Sequence, residues 1–259
     1  TRLSDLTTAL YHHIPSGVGS TGSVKLSGKD QKKVLEEGAA WAVKAGFGSP
    51  EDLETTEDGG AIAGADPERV SARALERGKQ QLGTLGSGNH FLEIEVVQEI
   101  FDEEAAKAFG LHEGQIAVMI HTGSRGLGYQ ICDDYLALMV KHASETGIAL
   151  PDRQLACAYL DSGRGKNYLA AMACGANYAW ANRQILMHKT REVFEKTLRM
   201  SPREVNMRLV YGLTQAEVSR VESLGFSSPT TLLGTVGLTF LAYSGYGQIT
   251  NAADAVERP

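Results

Sequence analysis

Hydrophobic and polar residues alternate with a period of two over residues 91–96 (FLEIEV), where glutamates separate leucine, isoleucine and valine. Successive side chains of a strand point to opposite faces, so this spacing predicts a strand with one buried and one solvated face. A short apolar run over residues 115–120 (QIAVMI) also predicts a strand, which ends at His121. We therefore expect two strands close together in the sequence.

Two helix starts are recognisable from their capping residues. Ser27 and Asp30 have the spacing of a capping box and open a helical pattern that continues through Val43. Residues 66–68 (DPE) combine an N-cap residue with proline at the first helical position, which predicts a helix running to Gly83.

Helical periodicity returns over residues 131–143 and again over 165–200. The second stretch would make some ten turns, so we expect it to break or bend. Its first half, up to residue 182, is small and apolar, which predicts burial, whereas residues 183–199 carry Arg, Lys and Glu. Helices mixed with short strands indicate an α+β or α/β fold.

Composition narrows the classes of protein to which this chain can belong. Its 259 residues are 42% hydrophobic and 22% charged with a net charge of -6, which is typical of one large or two small globular domains. The acidic balance argues against a general polyanion binder but leaves room for a local basic groove. The three cysteines lack CxxC spacing, which predicts no disulfide framework, and the absence of an apolar run of ~18 residues predicts no membrane span. Since there is also no leader pattern, we expect a cytoplasmic protein.

The last segment differs in composition from the rest. Residues 212–259 contain no Lys, His, Cys or Trp, whereas all seven histidines precede residue 189. We therefore expect a boundary that separates residues 1–211 from a divergent segment at 212–259.

Two glycine-rich segments could carry chemistry. Residues 86–91 (GSGNHF) precede the first predicted strand, and backbone N–H groups in such a loop can bind anions. A dinucleotide-binding fingerprint is excluded because Phe91 replaces the third glycine and a strand follows instead of a helix. Residues 121–128 (HTGSRGLG) follow the second strand, where a histidine can ligate a metal and Arg125 can bind a phosphate.

Each of these features also has a plainer interpretation. A histidine at a strand end is more often a hydrogen-bonded structural residue, and glycine clusters are usually turns. Arg125 could equally form a surface ion pair. The spacing of His90 and His121 allows them to converge on one metal but does not require it.

Longer segments resemble the RtcB family of RNA-splicing ligases. The similarity extends from about residue 5 to Tyr211 and rests on four motifs in the family's order: 14–19 (IPSGVG), 82–93 (LGTLGSGNHFLE), 118–128 (VMIHTGSRGLG) and 176–184 (ANYAWANRQ). The resemblance implies an α+β fold of mixed sheets with surrounding helices and a central active-site cleft, incomplete at both ends in this chain.

The resemblance also implies a reaction and its site. Members of the family join an RNA 3′-phosphate or 2′,3′-cyclic phosphate end to a 5′-hydroxyl end, as in tRNA halves, using GTP and manganese. By resemblance, His90 and His121 are metal ligands, one for each of two Mn²⁺ ions, and Arg125 faces RNA or nucleotide phosphate. The guanylate site would be lined by Asn89, His90, Phe91, Leu92 and Glu93. An archease-type activator is a further partner that the family implies.

Three family motifs have no counterpart in the chain: a D-x-x-C-G metal motif, a V-Y-D-V-x-H-N segment and the C-H-G-A-G-R-like segment with the guanylylated histidine. The catalytic nucleophile is therefore not identified, and His188 is the one candidate on the long helix. Two alternatives follow: a non-catalytic relative that binds metal, nucleotide or RNA, and a metal-dependent phosphoesterase.

Overall fold

The computed structural model describes residues 2–150, 152 and 155–213. Segment 212–259 lies outside the described residues except for its first two positions, so the expected boundary at Tyr211 stays a prediction. The described chain has two strands, β1 (Phe91–Val96) and β2 (Ile116–His121). Its helices are α1 (Arg2–His13), α2 (Gly28–Lys44), α3 (Pro50–Glu54), α4 (Ala72–Gly78), α5 (Glu103–Phe109), α6 (Arg125–Glu145), α7 (Gly163–Leu198) and α8 (Pro202–Val205). The α+β prediction is confirmed.

Helix α7 is the central element, and α1, α2 and α6 all pack against it. It runs for 36 residues as one helix, so the expected break is wrong. The physical reason lies in its composition, because it contains no proline and is rich in alanine and other good helix formers. Its first half is buried as predicted, and its second half keeps a buried stripe that includes Ile185, Leu186 and Phe194.

The predicted helix from residue 67 to Gly83 is also wrong, because the chain forms two shorter elements. A 3₁₀ turn at Pro67–Arg69 ends where Val70 becomes extended and enters the core. Ser71 then caps α4, accepting the N–H of Ala74 while its hydroxyl donates to the carboxylate of Asp134 at 2.5 Å. The burial of Val70 and the N-cap formed by Ser71 therefore interrupt the helix, although the helical sequence pattern continues through both residues.

Both predicted strands are present and pair antiparallel as the one sheet of the described residues. In the register Phe91 lies opposite His121, and Val96 lies opposite Ile116. One face of the pair, which includes Leu92 and Ile94, packs on a small core formed by α1 and the second half of α7. A larger core joins α2, α4, α6 and the first half of α7.

Among the described residues the three cysteines form no disulfide, Cys132 and Cys174 are buried, and burial raises the pKa of the Cys174 thiol to about 12. None of the described helices combines the length and apolar character needed to cross a bilayer.

Candidate active site

The β1–β2 pair brings the two predicted metal-binding histidines together. His90 immediately precedes β1 and His121 is the last residue of β2, so antiparallel pairing places both at the same end of the sheet. Their ring centroids lie 6.2 Å apart, and the Phe91 ring packs edge-on against His121 at 5.1 Å. Residues 31 positions apart in sequence therefore share one site, as the sequence allowed but did not require.

The hydrogen bond of His90 leaves one ring nitrogen available to a metal. Its Nδ1 lies 2.9 Å from the Ser87 carbonyl oxygen, which can only accept, so Nδ1 carries the proton and Nε2 keeps its lone pair. Burial, followed by the positive charge of Arg125, lowers the pKa of His90 below its ordinary value. A neutral imidazole whose other nitrogen is fixed by a carbonyl is the usual form of a histidine ligand.

His90 and His121 form a two-imidazole site within the part of the chain that the structure describes. No group of three or more His, Cys, Asp or Glu side chains converges there or elsewhere among these residues. Neutral imidazole can ligate divalent transition metals, whereas Mn²⁺ generally favours oxygen ligands, so the pair could contribute nitrogen ligands to Mn²⁺ only with oxygen ligands beside them.

Arg125 stands beside the histidines at the first position of α6. Its backbone adopts a left-handed φ of +54°, an uncommon conformation for a residue with a side chain. Its Nε donates to the Thr84 hydroxyl at 3.0 Å, and burial lowers the pKa of the guanidinium. The guanidinium is thus half-buried and fixed next to the ring of His90.

Gly86 makes this close approach possible. A Cβ at this position would lie 2.1 Å from a terminal nitrogen of Arg125 and 2.5 Å from His90 Nδ1, and φ is +106°. A side chain here would therefore displace Arg125 or His90 and would also strain the backbone.

The predicted guanylate-binding residues divide between the surface and the core. Asn89 and Glu93 are exposed, and Phe91 lies against His121 as described. Leu92 packs its side chain into the small core, because neighbouring residues of a strand face opposite sides. Of this set, Asn89, Phe91 and Glu93 can present side chains to a ligand, whereas Leu92 can present only its backbone.

Asn182 of α7 holds the two motif loops together, a role that the sequence analysis missed. Its buried amide Oδ1 accepts from the N–H groups of Gly83 at 2.7 Å and Thr84 at 3.1 Å. Its Nδ2 donates to the carbonyls of Thr84 at 3.0 Å and Gly123 at 3.2 Å. The available signal was an asparagine in a helical segment predicted to be buried, since a buried amide must find partners.

The loop at residues 14–19 is the third family motif to reach this site. The N–H of Gly17 donates to the Gly86 carbonyl at 2.6 Å, and the N–H of Leu85 donates to the Pro15 carbonyl at 2.8 Å. All four motifs identified in the sequence therefore meet, with Asn182 representing the motif on α7.

His188 is engaged in a structural contact elsewhere on α7. Its Nδ1 accepts the backbone N–H of Gly48 at 3.2 Å, and its ring packs edge-on against Phe47. His112 is exposed in the turn that joins α5 to β2, at the opposite end of the sheet from His90 and His121. Neither histidine joins the pair.

The chain is similar to known proteins over most of its length. The family described as tRNA-splicing ligase RtcB matches residues 1–222. The tRNA-splicing ligase RtcB of Methanocaldococcus jannaschii is 50% identical over 223 residues, which cover 86% of this chain and 23% of that protein. The protein of the same name from Aeropyrum pernix is 49% identical, with 85% of this chain and 46% of the relative covered. The protein of the same name from Archaeoglobus fulgidus is 50% identical, with 81% of this chain and 43% of the relative covered. The chain thus spans less than half the length of each of these relatives.

Proposed function

Because the chain belongs to the RtcB family, we propose that it takes part in GTP- and Mn²⁺-dependent ligation of RNA. The reaction joins a 3′-phosphate or 2′,3′-cyclic phosphate end to a 5′-hydroxyl end. The observation that carries the proposal is the convergence of His90, His121 and Arg125 at one end of the sheet.

Each of these side chains has a role that follows from its chemistry. His90 and His121 would hold Mn²⁺ through imidazole nitrogens, and Arg125 would bind a phosphate of RNA or nucleotide through its guanidinium. Asn89 and Glu93 are exposed and could contact a guanylate beside His90, with Glu93 giving up its hydrogen bond to Glu95. When bound, Mn²⁺ would neutralise phosphate charge and favour in-line displacement.

The RNA 3′-phosphate needs activation before a hydroxyl can attack it. Transfer of GMP to the 3′-phosphate provides a leaving group, and attack by the 5′-hydroxyl then forms the phosphodiester and releases GMP. The half-buried Arg125 next to His90 is suited to hold such a phosphate in place, since positioning and charge neutralisation dominate phosphoryl transfer.

Metal binding by histidine variants tests the proposal. Mn²⁺ binding is measured in a titration by the loss of the electron paramagnetic resonance signal of the free ion. Replacing His90 or His121 by alanine should abolish binding, so that the free-ion signal persists. His112→Ala is the matched control, because it removes a histidine from the other end of the same sheet. Equal Mn²⁺ affinity in all three variants would refute the metal site.

A second measurement separates ligation from the alternatives. Incubation with GTP labelled at the α-phosphate should produce a covalent adduct if a histidine nitrogen attacks the α-phosphorus and expels pyrophosphate. A folded protein that binds Mn²⁺ and RNA without forming an adduct would support a non-catalytic binding protein. Removal of an RNA 3′-phosphate without GTP would support a phosphoesterase. An archease-type activator is the protein partner that accompanies the ligase proposal.

A further inference from the structure

An exposed arginine and tyrosine stack on each other beside the candidate site. The guanidinium carbon of Arg77, at the end of α4, lies 5.0 Å from the centre of the Tyr129 ring on α6. Tyr129 follows Arg125 by four residues, about one helical turn or ~6 Å along the axis. Half of the Tyr129 side chain remains exposed, at 52%.

The pair is held in place by contacts that continue directly into the site. Nη1 of Arg77 donates to the Gln130 side-chain oxygen at 2.9 Å. A Cβ on Gly126, the neighbour of Arg125, would lie 3.3 Å from Arg77 Nε, so the arginine lies along the first turn of α6. Gln81 completes this turn by accepting the N–H of Gly126 at 2.8 Å.

The charge around the pair is positive on the side of α4. Among the described residues, no carboxylate lies within salt-bridge distance of Arg77, in contrast to Lys79, which pairs with Glu76. Arg73 is exposed one turn earlier on the same helix face. On the side of α6 the pair is bordered by carboxylates, because Asp133 and Asp134 both accept from the Gln130 side chain that also bonds Arg77.

A single exposed tyrosine is ordinary on a protein surface. Proteins that bind single-stranded nucleic acid, however, often combine an exposed aromatic ring with basic side chains, and here the ring and Arg77 lie next to the proposed phosphate-binding Arg125. Bases of unpaired RNA stack on aromatic rings and on guanidinium planes, while basic side chains follow the backbone. We propose that Tyr129 and Arg77 bind the RNA strand whose terminal phosphate lies at Arg125. Tyr129 stacks on a base near that end, and Arg77 orients the ring and supplies positive charge.

This inference rests on the proposed function, and one binding experiment tests the two separately. The probe is a fluorescent single-stranded RNA of about ten nucleotides with a 3′-phosphate, a length within the range that such surfaces cover. Fluorescence anisotropy at several salt concentrations gives the Kd and its salt dependence. Tyr129→Ala should weaken binding about fivefold or more, because a stacked base is lost. Tyr129→Phe should restore nearly full affinity.

The salt dependence distinguishes the two side chains. Arg77→Ala should weaken binding and reduce the slope of log K against log salt by about 0.7, the value for one phosphate contact on a single strand. Tyr129→Ala should leave that slope unchanged, since it removes no charge.

Matched controls lie at the opposite end of α6, roughly 25–30 Å from Arg125. Tyr159 is 55% exposed and packs on His142, and Arg164 pairs with Glu145. Tyr159→Ala and Arg164→Ala should leave RNA affinity unchanged.

Two different failures can be told apart. If Arg125→Ala weakens RNA binding but Tyr129→Ala and Arg77→Ala do not, this inference alone is overturned, and the contact between Arg77 and Tyr129 is structural. Absence of RNA binding by the unmodified chain would overturn the inference together with the proposed function.

Discussion

Replacing Asn182 with alanine removes a buried amide that bonds four backbone groups in the two loops of the site. Two of these groups are the N–H donors of Gly83 and Thr84, and two are the carbonyls of Thr84 and Gly123. The first loop leads to His90 and the second leads from His121 to Arg125. The substitution therefore acts on the candidate site without touching any of its proposed ligands.

The cost can be worked out from these contacts. A hydrogen bond within a protein contributes about 0.5–1.5 kcal/mol net, and a buried group left without a partner costs at least as much. Four such bonds give a loss of roughly 4 kcal/mol in the free energy of unfolding. Loosening of the loops should also weaken Mn²⁺ binding about tenfold, the effect usual for groups that orient metal ligands.

Asn177 on the same helix is a matched control, because it is equally buried and equally well bonded. Its amide accepts the N–H of Ile62 at 2.7 Å and donates to the Leu35 carbonyl at 2.9 Å, both away from the motif loops. Asn177→Ala should therefore lower stability by a similar amount and leave the Mn²⁺ affinity of the folded protein unchanged.

Urea unfolding gives the stability of both variants, and Mn²⁺ titration below the unfolding transition gives their affinity. A loss of Mn²⁺ affinity that is equal in the Asn177 and Asn182 variants would mean that general destabilisation, and not the loop contacts, controls the site. Unchanged stability in Asn182→Ala would refute the hydrogen-bond argument itself.

The other predictions concern Gly86, Arg125 and Asp52. Gly86→Ala should lower RNA affinity by displacing Arg125, whereas Gly88→Ala, at a φ of +80° with open space around it, should show the effect of backbone strain alone. Arg125→Ala should weaken binding of a 3′-phosphorylated RNA and lower the salt slope by about 0.7, and an unchanged slope would exclude a phosphate contact. Burial alone would raise the pKa of Asp52, but hydrogen bonds, above all from Arg191 at 2.8 Å, outweigh it and lower that pKa. The pair of Asp52 and Arg191 should therefore stabilise the fold fully above pH ~4, and this stabilisation should be lost as the pH falls through the lowered pKa of Asp52. Asp52→Asn should lower the free energy of unfolding by about 3–5 kcal/mol and remove this pH dependence, both measured by urea unfolding.

The two strands follow from local patterns in the sequence, whereas their antiparallel pairing, which brings His90 to His121, was allowed but not required by those patterns. Alternation over residues 91–96 and the apolar run before His121 define two strands, and both are present within one residue of their predicted bounds. Their antiparallel pairing then brings the start of the first strand next to the end of the second. Short-range patterns were sufficient to locate the strands, because both strands have one face on a core, but they did not specify the pairing.

Contacts over long sequence separations could not be predicted in this way. Helical periodicity alone did not reveal that Val70 leaves the helical path to enter the core, or that Ser71 starts a new helix. The bonds from Asn182 to Gly83 join residues 99 positions apart, and no local pattern specifies such a pair. The resemblance to a family marked the segment around Asn182 as notable but assigned it no role.

The position of Asn182 follows from a conflict within the glycine-rich loops. A loop can bring its backbone close to a phosphate or an arginine only where side chains are absent, as at Gly86. Leu82 and Leu85 anchor the first loop by burial in the two cores, but the glycines between and after them have no side chain to bury. Its backbone must then be held by hydrogen bonds from outside, and a rigid helix is the element that can supply them at fixed positions. Helix α7 meets this need through Asn182, so this one buried amide is as much a part of the site as the histidines.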